Sequence, residues 1–592
     1  MTTALDPRRM RPDMMQGVAN VVQSSYDIEL PHMEPWNDRP CPAHAELTAG
    51  CRRCGVKPRR HQRIGITWLY LTPRAGLFDS TGLGKTVQCA GLLSLLLGNG
   101  EIGTFAQHSR KGLIIARAAT IAQWQAELAR MVPDLITIAV TGTAAERGRK
   151  LARDEWEVAL IGPEMLASKV AKGADQLSHH DIGTVICDDI DCLRNANKTS
   201  RTIKEICDKA DRVVIATATP LDKKLTQLYD LGTILGWRSS LGSRQEFQHR
   251  YVNMERVYYT PKLKPTRCRW CKAFLVADHA NKLWVDSKTK ASGPCPARPT
   301  DAHFPLSRIT PGPKFTEQEK GVNPERVAEF RQRIAPLVLR RTADQCDDIQ
   351  MPGVIASQVW LTLGPEQALR YMELRKGVLT RMDQTGNKVS TTEAQAAFMR
   401  ARQIVSGLAT LDTGRTGESA KLDWVTEALS GDLSGEPVVV YNYFRPTLAD
   451  LSARLTAAGI ANVRIWGEQH ASEQAHAIAA FNSGAANVIL ITDAGGMGLN
   501  LQKARRLVIC DPPVSAGRQS QLIGRIKRDS SAHETVYVQQ LLCEDAPVDK
   551  AMAEMLAGEA VMSAAVLDAG TLASEWDWAD DPEWMMRAVA GA

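Results

Sequence analysis

The stretch GLFDSTGLGKT, Gly76 to Thr86, ends as a phosphate-gripping loop does. Glycines at 82 and 84 let the backbone approach phosphates, Lys85 can reach the β and γ phosphates, and the Thr86 hydroxyl can hold magnesium at the start of a helix. Thr81, Gly82, Leu83, Gly84, Lys85 and Thr86 are therefore the expected nucleotide-binding run. One residue breaks the pattern G-x-x-x-x-G-K-[ST]: Asp79 stands where the first glycine belongs. About 100 residues further on, VICDDID closes a hydrophobic run. Its Asp188 is expected to bind magnesium, and Asp189 to activate the attacking water.

Around these two elements, short β-branched runs alternate with helix-like segments. GLIIA near Ile114, VALIG near Leu160, TVICDD near Ile186 and RVVIATATP near Val214 fall between about residues 60 and 235. The alternation recurs from about 420 to 545, with runs near Val439, Ile465, Leu490 and Val508. Strands alternating with helices predict an α/β fold, with parallel sheets covered by helices on both faces, here in two lobes. Residues 250 to 315, rich in Pro, Lys, Cys and Trp, read as an irregular insertion, whereas 325 to 345 and 364 to 406 carry helical spacing.

Composition fits this reading. In 592 residues, 44% hydrophobic and 23% charged, a several-domain globular chain is expected. The net charge of +6 is a weak attraction for polyanions at this length. No apolar run reaches the roughly 20 residues that cross a bilayer, and MTTALDPRRMRPDMM lacks a secretory centre, so a cytoplasmic setting is expected. Thirteen cysteines in such a setting favour metal sites and buried thiols over disulfides.

The loop and acidic element together resemble superfamily 2 helicases, most closely the Swi/Snf-like double-stranded DNA translocases, and the resemblance covers about residues 58 to 545. In that family the loop reads D-E-M-G-L-G-K-T, so Asp79 is a mark of the branch. PRRHQRIGITWL is similar to the segment whose glutamine recognises adenine, which places that role on Gln62. LIIARAATIAQWQAEL resembles motif Ia, with Trp124 and Glu127, and ATATP resembles motif III at Thr217 to Pro220. PLVLRRT, Pro336 to Thr342, resembles the run that closes the first lobe. VVVYNYF and TDAGGMGLNL resemble motifs IV and V, and QLIGRIKR resembles motif VI, with Gln521, Arg525 and Arg528 on its Q-x-x-G-R-x-x-R pattern.

The resemblance implies two RecA-like lobes clamping ATP and Mg2+, with Lys85, Thr86, Asp188 and Asp189 on one side and Arg525 and Arg528 on the other. It also implies a DNA-dependent ATPase moving on double-stranded DNA. A strand-separating helicase and a DNA-binding scaffold with weak turnover are the alternatives. Replication or recombination proteins are expected partners, and alanine and arginine richness points to a bacterial or bacteriophage origin.

The chain departs from the family at D-E-x-H. Asp189 is one methylene shorter than the usual glutamate, and Asp191 replaces a histidine and is expected to pair with Gln521 or with an arginine of motif VI. Two zinc (Zn2+) sites are expected. CPAHAELTAGCRRC supplies Cys41, His44, Cys51 and Cys54; Cys268, Cys271 and Cys295 with His303 form a ribbon-like set in which His279 competes as fourth ligand. Basic residues crowd both sets, as suits a phosphate backbone, and Trp270 is placed either to stack a base or to cover the metal. The tail EWDWADDPEW is expected to fold back on its domain, with partner recruitment through Trp576, Trp578 and Trp584 as the alternative.

The expected boundaries are an N-terminal zinc-binding arm at 1–57, lobe 1 at 58–240 and a helical segment with the insertion at 241–345. A helical linker at 346–415, lobe 2 at 416–545 and a helical, acidic tail at 546–592 follow.

Overall fold

The computed structural model describes residues 58–98, 102, 110–167, 176–194, 197–221, 224–259, 266–268, 271–278, 283–286, 294–295, 298–302, 314–385, 391–411, 417–467, 469, 471–493, 499–529, 531–568 and 582–591. Cys41, His44, Cys51, Cys54, Trp270, His279, His303, Trp576 and Trp578 lie outside the described residues.

Lobe 1 is built on β1 (Arg74–Leu77), β2 (Lys111–Ala116), β3 (Thr137–Ala139), β4 (Val158–Ile161), β5 (Ile182–Asp188) and β6 (Arg212–Ala216). β4 and β6 are buried along their whole length, and β2 and β5 at all but one end residue, which is why they read as continuous apolar runs. Helices α1 (Arg60–Leu71), α2 (Lys85–Gly98) and α3 (Ala118–Met131) pack on the sheet through Trp68, Leu93 and Leu128, among others. In α3, Ile121, Trp124, Leu128 and Met131 are all buried, the stripe expected of a helix lying on a sheet.

A separate unit, Val252–Gly321, interrupts the chain. It is made of β7 (Val252–Tyr259), β8 (Thr266–Arg267), β9 (Phe274–Asp278), β10 (Leu283–Asp286), β11 (Pro294–Cys295), β12 (Arg298–Ala302) and β13 (Lys314–Val322). β10, β9 and β8 form an antiparallel sheet, β11 and β12 an antiparallel pair, and β13 lies beside β7.

The chain then returns to lobe 1 as β14 (Val338–Leu339), parallel to β1, and completes the sheet order β14-β1-β6-β5-β2-β4-β3. Lobe 2 has the order β15-β20-β19-β16-β18-β17, again all parallel. Its strands are β15 (Gly353–Leu361), β16 (Val438–Asn442), β17 (Asn462–Ile465), β18 (Val488–Ile491), β19 (Arg506–Asp511) and β20 (Thr535–Cys543).

Residues 346–415, expected as a helical linker, thus open with a strand of the lobe 2 sheet. The helices that follow, α4 (Pro365–Thr385) and α5 (Thr391–Ser406), bury Tyr371, Val378, Phe398 and Ile404 in a cluster shared with α7 (Pro547–Leu567) and α8 (Pro582–Ala590). Buried Arg402 on α5 also pairs with buried Asp511 at the end of β19 at 2.6 Å. Trp584 of the tail sits in this cluster with its ring 5.4 Å from that of Phe398, so this part of the tail folds back. No helix among the described residues is long and apolar enough to cross a membrane.

Candidate active site

β1 delivers the chain to a loop at the C-terminal edge of the lobe 1 sheet, and α2 leaves from Lys85. The loop turns through Gly82 (φ +90°) and Gly84 (φ +70°), a backbone region that side chains disfavour. A Cβ at Gly82 would lie 2.1 Å from Met351 Cε, and one at Gly84 2.4 Å from Gln62 Nε2; both are ends of flexible side chains that can move aside, so conformation more than space demands glycine.

Asp79 needs no such freedom, since it is not among the residues with positive φ. Its carboxylate is fully buried and accepts from Arg341 Nη2 at 2.6 Å, Arg341 Nε at 3.1 Å and Gln88 Nε2 at 2.9 Å. β14 brings Arg341 there by running beside β1: Phe78 N–H bonds Leu339 O at 2.8 Å and Ser80 N–H bonds Arg341 O at 2.9 Å. The departure at the head of the loop is therefore a strut between the phosphate loop and the strand that closes the lobe.

Lys85 Nζ donates to Asp79 O at 2.7 Å and Ser80 O at 3.1 Å, across the loop it belongs to. Desolvation lowers its pKa, against the pull of Asp189, Asp79 and Asp188. Leu83 turns its buried side chain inward, and its carbonyl accepts from Gln88 at 3.3 Å and Gln62 at 3.5 Å. Gln62 Oε1 also accepts the Arg59 N–H at 3.0 Å. Gln62 and Leu83 stand outside the lining of the cavity that the other nucleotide-binding residues share.

Across that cavity β5 ends at Asp188, which receives the Trp124 indole N–H at 2.7 Å. Burial and the neighbouring Asp189 push the Asp188 carboxyl up to about 6, while Trp124, Lys85 and Arg117 pull it down. A buried carboxyl raised in this way is favoured in its charged form by a divalent cation, which adds to the counter-charge of Lys85 and Arg117. Asp189 adopts φ +53°, a conformation to which short aspartate is better suited than most residues, with its N–H bonded to Ala216 O at 2.8 Å. One of its carboxylate oxygens accepts from the Thr217 hydroxyl at 2.8 Å, and both lie 3.1 Å from Gln521 Nε2.

Gln521 comes from lobe 2, on α6 (Ala516–Ile523), whose first turn is capped by Ser515 accepting the Arg518 N–H at 3.4 Å. The same cavity is lined by Arg525 and Arg528 from lobe 2 and by Thr81, Gly82, Gly84, Lys85, Thr86, Asp188 and Asp189 from lobe 1. Burial, reinforced by Arg528, lowers Arg525 to about 10, and burial lowers Arg528 as well. Arg528 Nε is buried with no hydrogen-bond partner among the described residues. Two desolvated guanidiniums facing a lysine and a magnesium-type carboxyl fit a polyphosphate with its cation: Lys85, Arg525 and Arg528 for the phosphates, Thr86 and Asp188 for the metal.

Asp191 does not pair with Gln521. It pairs with Arg117, with Arg194 at 3.3 Å and with Arg518 of α6 at 3.6 Å, and Arg518 in turn pairs with Asp493. Glu127, singled out with Trp124, instead pairs with Arg130 one turn along α3, away from the cavity.

The sequence reading missed several residues here. Arg117 and Thr219 lie inside recognised motifs and Gln88 and Arg518 within three residues of one, and that placement was the available signal. His61 bonds Asp348 at 2.9 Å and Leu83 O at 3.0 Å through its two ring nitrogens, tying the loop to the segment between the lobes. These bonds already use both nitrogens, so the grouping of His61, Cys346 and Asp348 is a hydrogen-bond network and not a metal site. Cys89, Cys187 and Cys510 are fully buried core thiols, and burial pushes Cys510 up to about 12.

The SNF2-related domain family matches residues 61–408, and the Helicase conserved C-terminal domain family matches residues 420–530. The chain belongs to the SNF2-related family. The chicken DNA repair and recombination protein RAD54-like is 24% identical over 530 residues, covering 82% of this chain and 64% of the relative. The fission yeast (Schizosaccharomyces pombe) DNA repair protein rhp54 is 22% identical over 518 residues, covering 80% of this chain and 54% of the relative. This chain thus spans between about half and two thirds of the length of these relatives. The solved Sulfolobus solfataricus SWI2/SNF2 ATPase core in complex with dsDNA is similar at 19% identity and a TM-score of 0.35, covering 86% of this chain and 94% of that one.

Proposed function

We propose that the chain is a DNA-dependent ATPase that uses ATP hydrolysis to move along double-stranded DNA. The observation that carries the ATPase reading is the meeting of both lobes at one cavity, with the buried Arg528 Nε lacking any partner among the described residues. An unpaired buried donor is costly, and an anionic ligand at that position removes the cost.

Lys85 leaves the carbonyls of Asp79 and Ser80 to meet the β and γ phosphates, and Arg525 and Arg528 meet the phosphates from lobe 2. Thr86 and Asp188 would hold magnesium, which would neutralise charge developing on the phosphates. Asp189 orients the attacking water and takes its proton, while Thr217 and Gln521 fix the carboxylate. Because Gln521 reaches Asp189 and Thr219 from lobe 2, relative movement of the lobes changes the setting of the catalytic carboxylate.

The DNA part of the reading rests on membership of the SNF2-related family and on relatives named for DNA repair and recombination. Replication or recombination proteins are the partners it implies. Asp189→Asn keeps the size of the side chain but removes the base, and turnover is expected to fall by about a hundredfold or more in steady-state phosphate release.

The test of the whole reading is ATP hydrolysis by purified protein without nucleic acid and with single-stranded DNA, duplex DNA or RNA. Strongest stimulation by duplex DNA is expected. Duplex binding with no turnover under any of these conditions would favour the DNA-binding scaffold.

A further inference from the structure

The unit Val252–Gly321 has a core of unusual make-up. Its buried cluster among the described residues is Cys268, Leu275 and Cys295, with Cys271 packed against it. Among the described residues, Phe274 and Phe315 do not join in: they remain 49% and 47% exposed, lying beneath Arg267 and Arg256. A segment of this size needs a core or a substitute for one, such as a disulfide or a structural metal.

The cysteines are placed for the metal. All three sulfurs lie within 4.8 Å of one another, though Cys295 is 27 residues from Cys268 along the chain. Cys268 and Cys271 are brought to one side by a tight turn in which Lys272 N–H bonds Cys268 O at 3.1 Å and Cys268 N–H bonds Ala273 O at 2.9 Å. Lys272 takes φ +59° to make that turn, a backbone strain that a bound ion would offset. β11, paired with β12, delivers Cys295 from the other side.

Two thiolates held at about 2.3 Å by one tetrahedral ion stand roughly 3.8 Å apart, and Cys268 Sγ and Cys295 Sγ are 3.7 Å apart. A disulfide between any two would leave the third thiol alone in the cluster.

We infer that Cys268, Cys271 and Cys295 hold one structural zinc ion, with a fourth donor closing the tetrahedron, and that this ion replaces the hydrophobic core of the unit. The three thiols lose their protons on binding, and the folding of the unit becomes metal-dependent. The two lobes have apolar cores of their own, so their folding does not depend on the ion. This inference is independent of the ATPase reading and can fail without it.

The test uses the full chain in two measurements. In the first, alkylation of wild-type protein is followed residue by residue with mass spectrometry, with and without a zinc chelator. Cys268, Cys271 and Cys295 are expected to be protected together and to become reactive together on chelation. Equal alkylation in both conditions would overturn the inference. In the second, the metal content of purified Cys271→Ser and Cys295→Ser is compared with wild type, so that zinc bound elsewhere cancels. Each variant is expected to lose one zinc per chain. Unchanged zinc in both, or iron in place of zinc in the wild type, would overturn it.

Discussion

Arg528→Ala is expected to lower DNA-stimulated ATP turnover by about a thousandfold or more, the scale associated with an arginine that stabilises charge on a transferring phosphoryl group. Arg528 is desolvated, it lines the cavity opposite Lys85, and its Nε has no partner among the described residues. Its loss therefore removes a phosphate contact without breaking an internal one, so the variant is expected to keep the thermal stability of the parent. Lys85→Ala should be equally inactive. Near-normal phosphate release from either purified variant would contradict the assignment of the cavity.

The second large effect concerns stability. Asp79→Ala leaves the buried Arg341 without its carboxylate, and breaking a buried ion pair by removing one partner costs about 3–5 kcal/mol. Arg341 keeps the His61 carbonyl at 2.6 Å and Gln88 Oε1 at 3.0 Å, which sets the expectation near the lower end of that range. Denaturant unfolding followed by a probe in lobe 1 measures the loss. Asp79→Asn, which keeps an acceptor but no charge, should fall between the two. An Asp79→Ala protein as stable as the parent would show that the strut is not needed to hold the loop.

That strut also marks where sequence reading stops. Asp79 was visible as an oddity of the loop, but its partner lies 262 residues away, and nothing in the spacing of either motif joins them. The same holds for Gln521 and Asp189, 332 residues apart and brought together only by the packing of one lobe on the other. Lys85, Thr86, Asp188, Arg525 and Arg528 were legible because their chemistry requires fixed local spacing, and the structure gathers them at one cavity.

Strands were legible where burial on both faces writes a continuous apolar run, as in β4 and β18. β15 was missed because it is the edge strand of its sheet, exposed over most of its length with Ile355 at 52% and Trp360 at 48%, and the apolar residues of GVIASQVWL do not alternate with polar ones as those of a half-buried strand do. β14 is too short to stand out, and β1, RAGL, lacks the β-branched residues that mark β4 and β18. In the insertion, the cysteine spacing was informative where hydrophobic periodicity was not, since thiols make up most of the buried cluster among the described residues there.

The most direct test of the central claim is displacement of a third strand from a DNA triplex, because a motor that tracks along the duplex strips that strand without separating the other two. With ATP and Mg2+, the wild-type protein is expected to displace the third strand and leave the duplex intact, and Lys85→Ala to leave the whole triplex in place. Duplex-stimulated hydrolysis with no strand displacement, or separation of the duplex itself, would contradict double-stranded translocation.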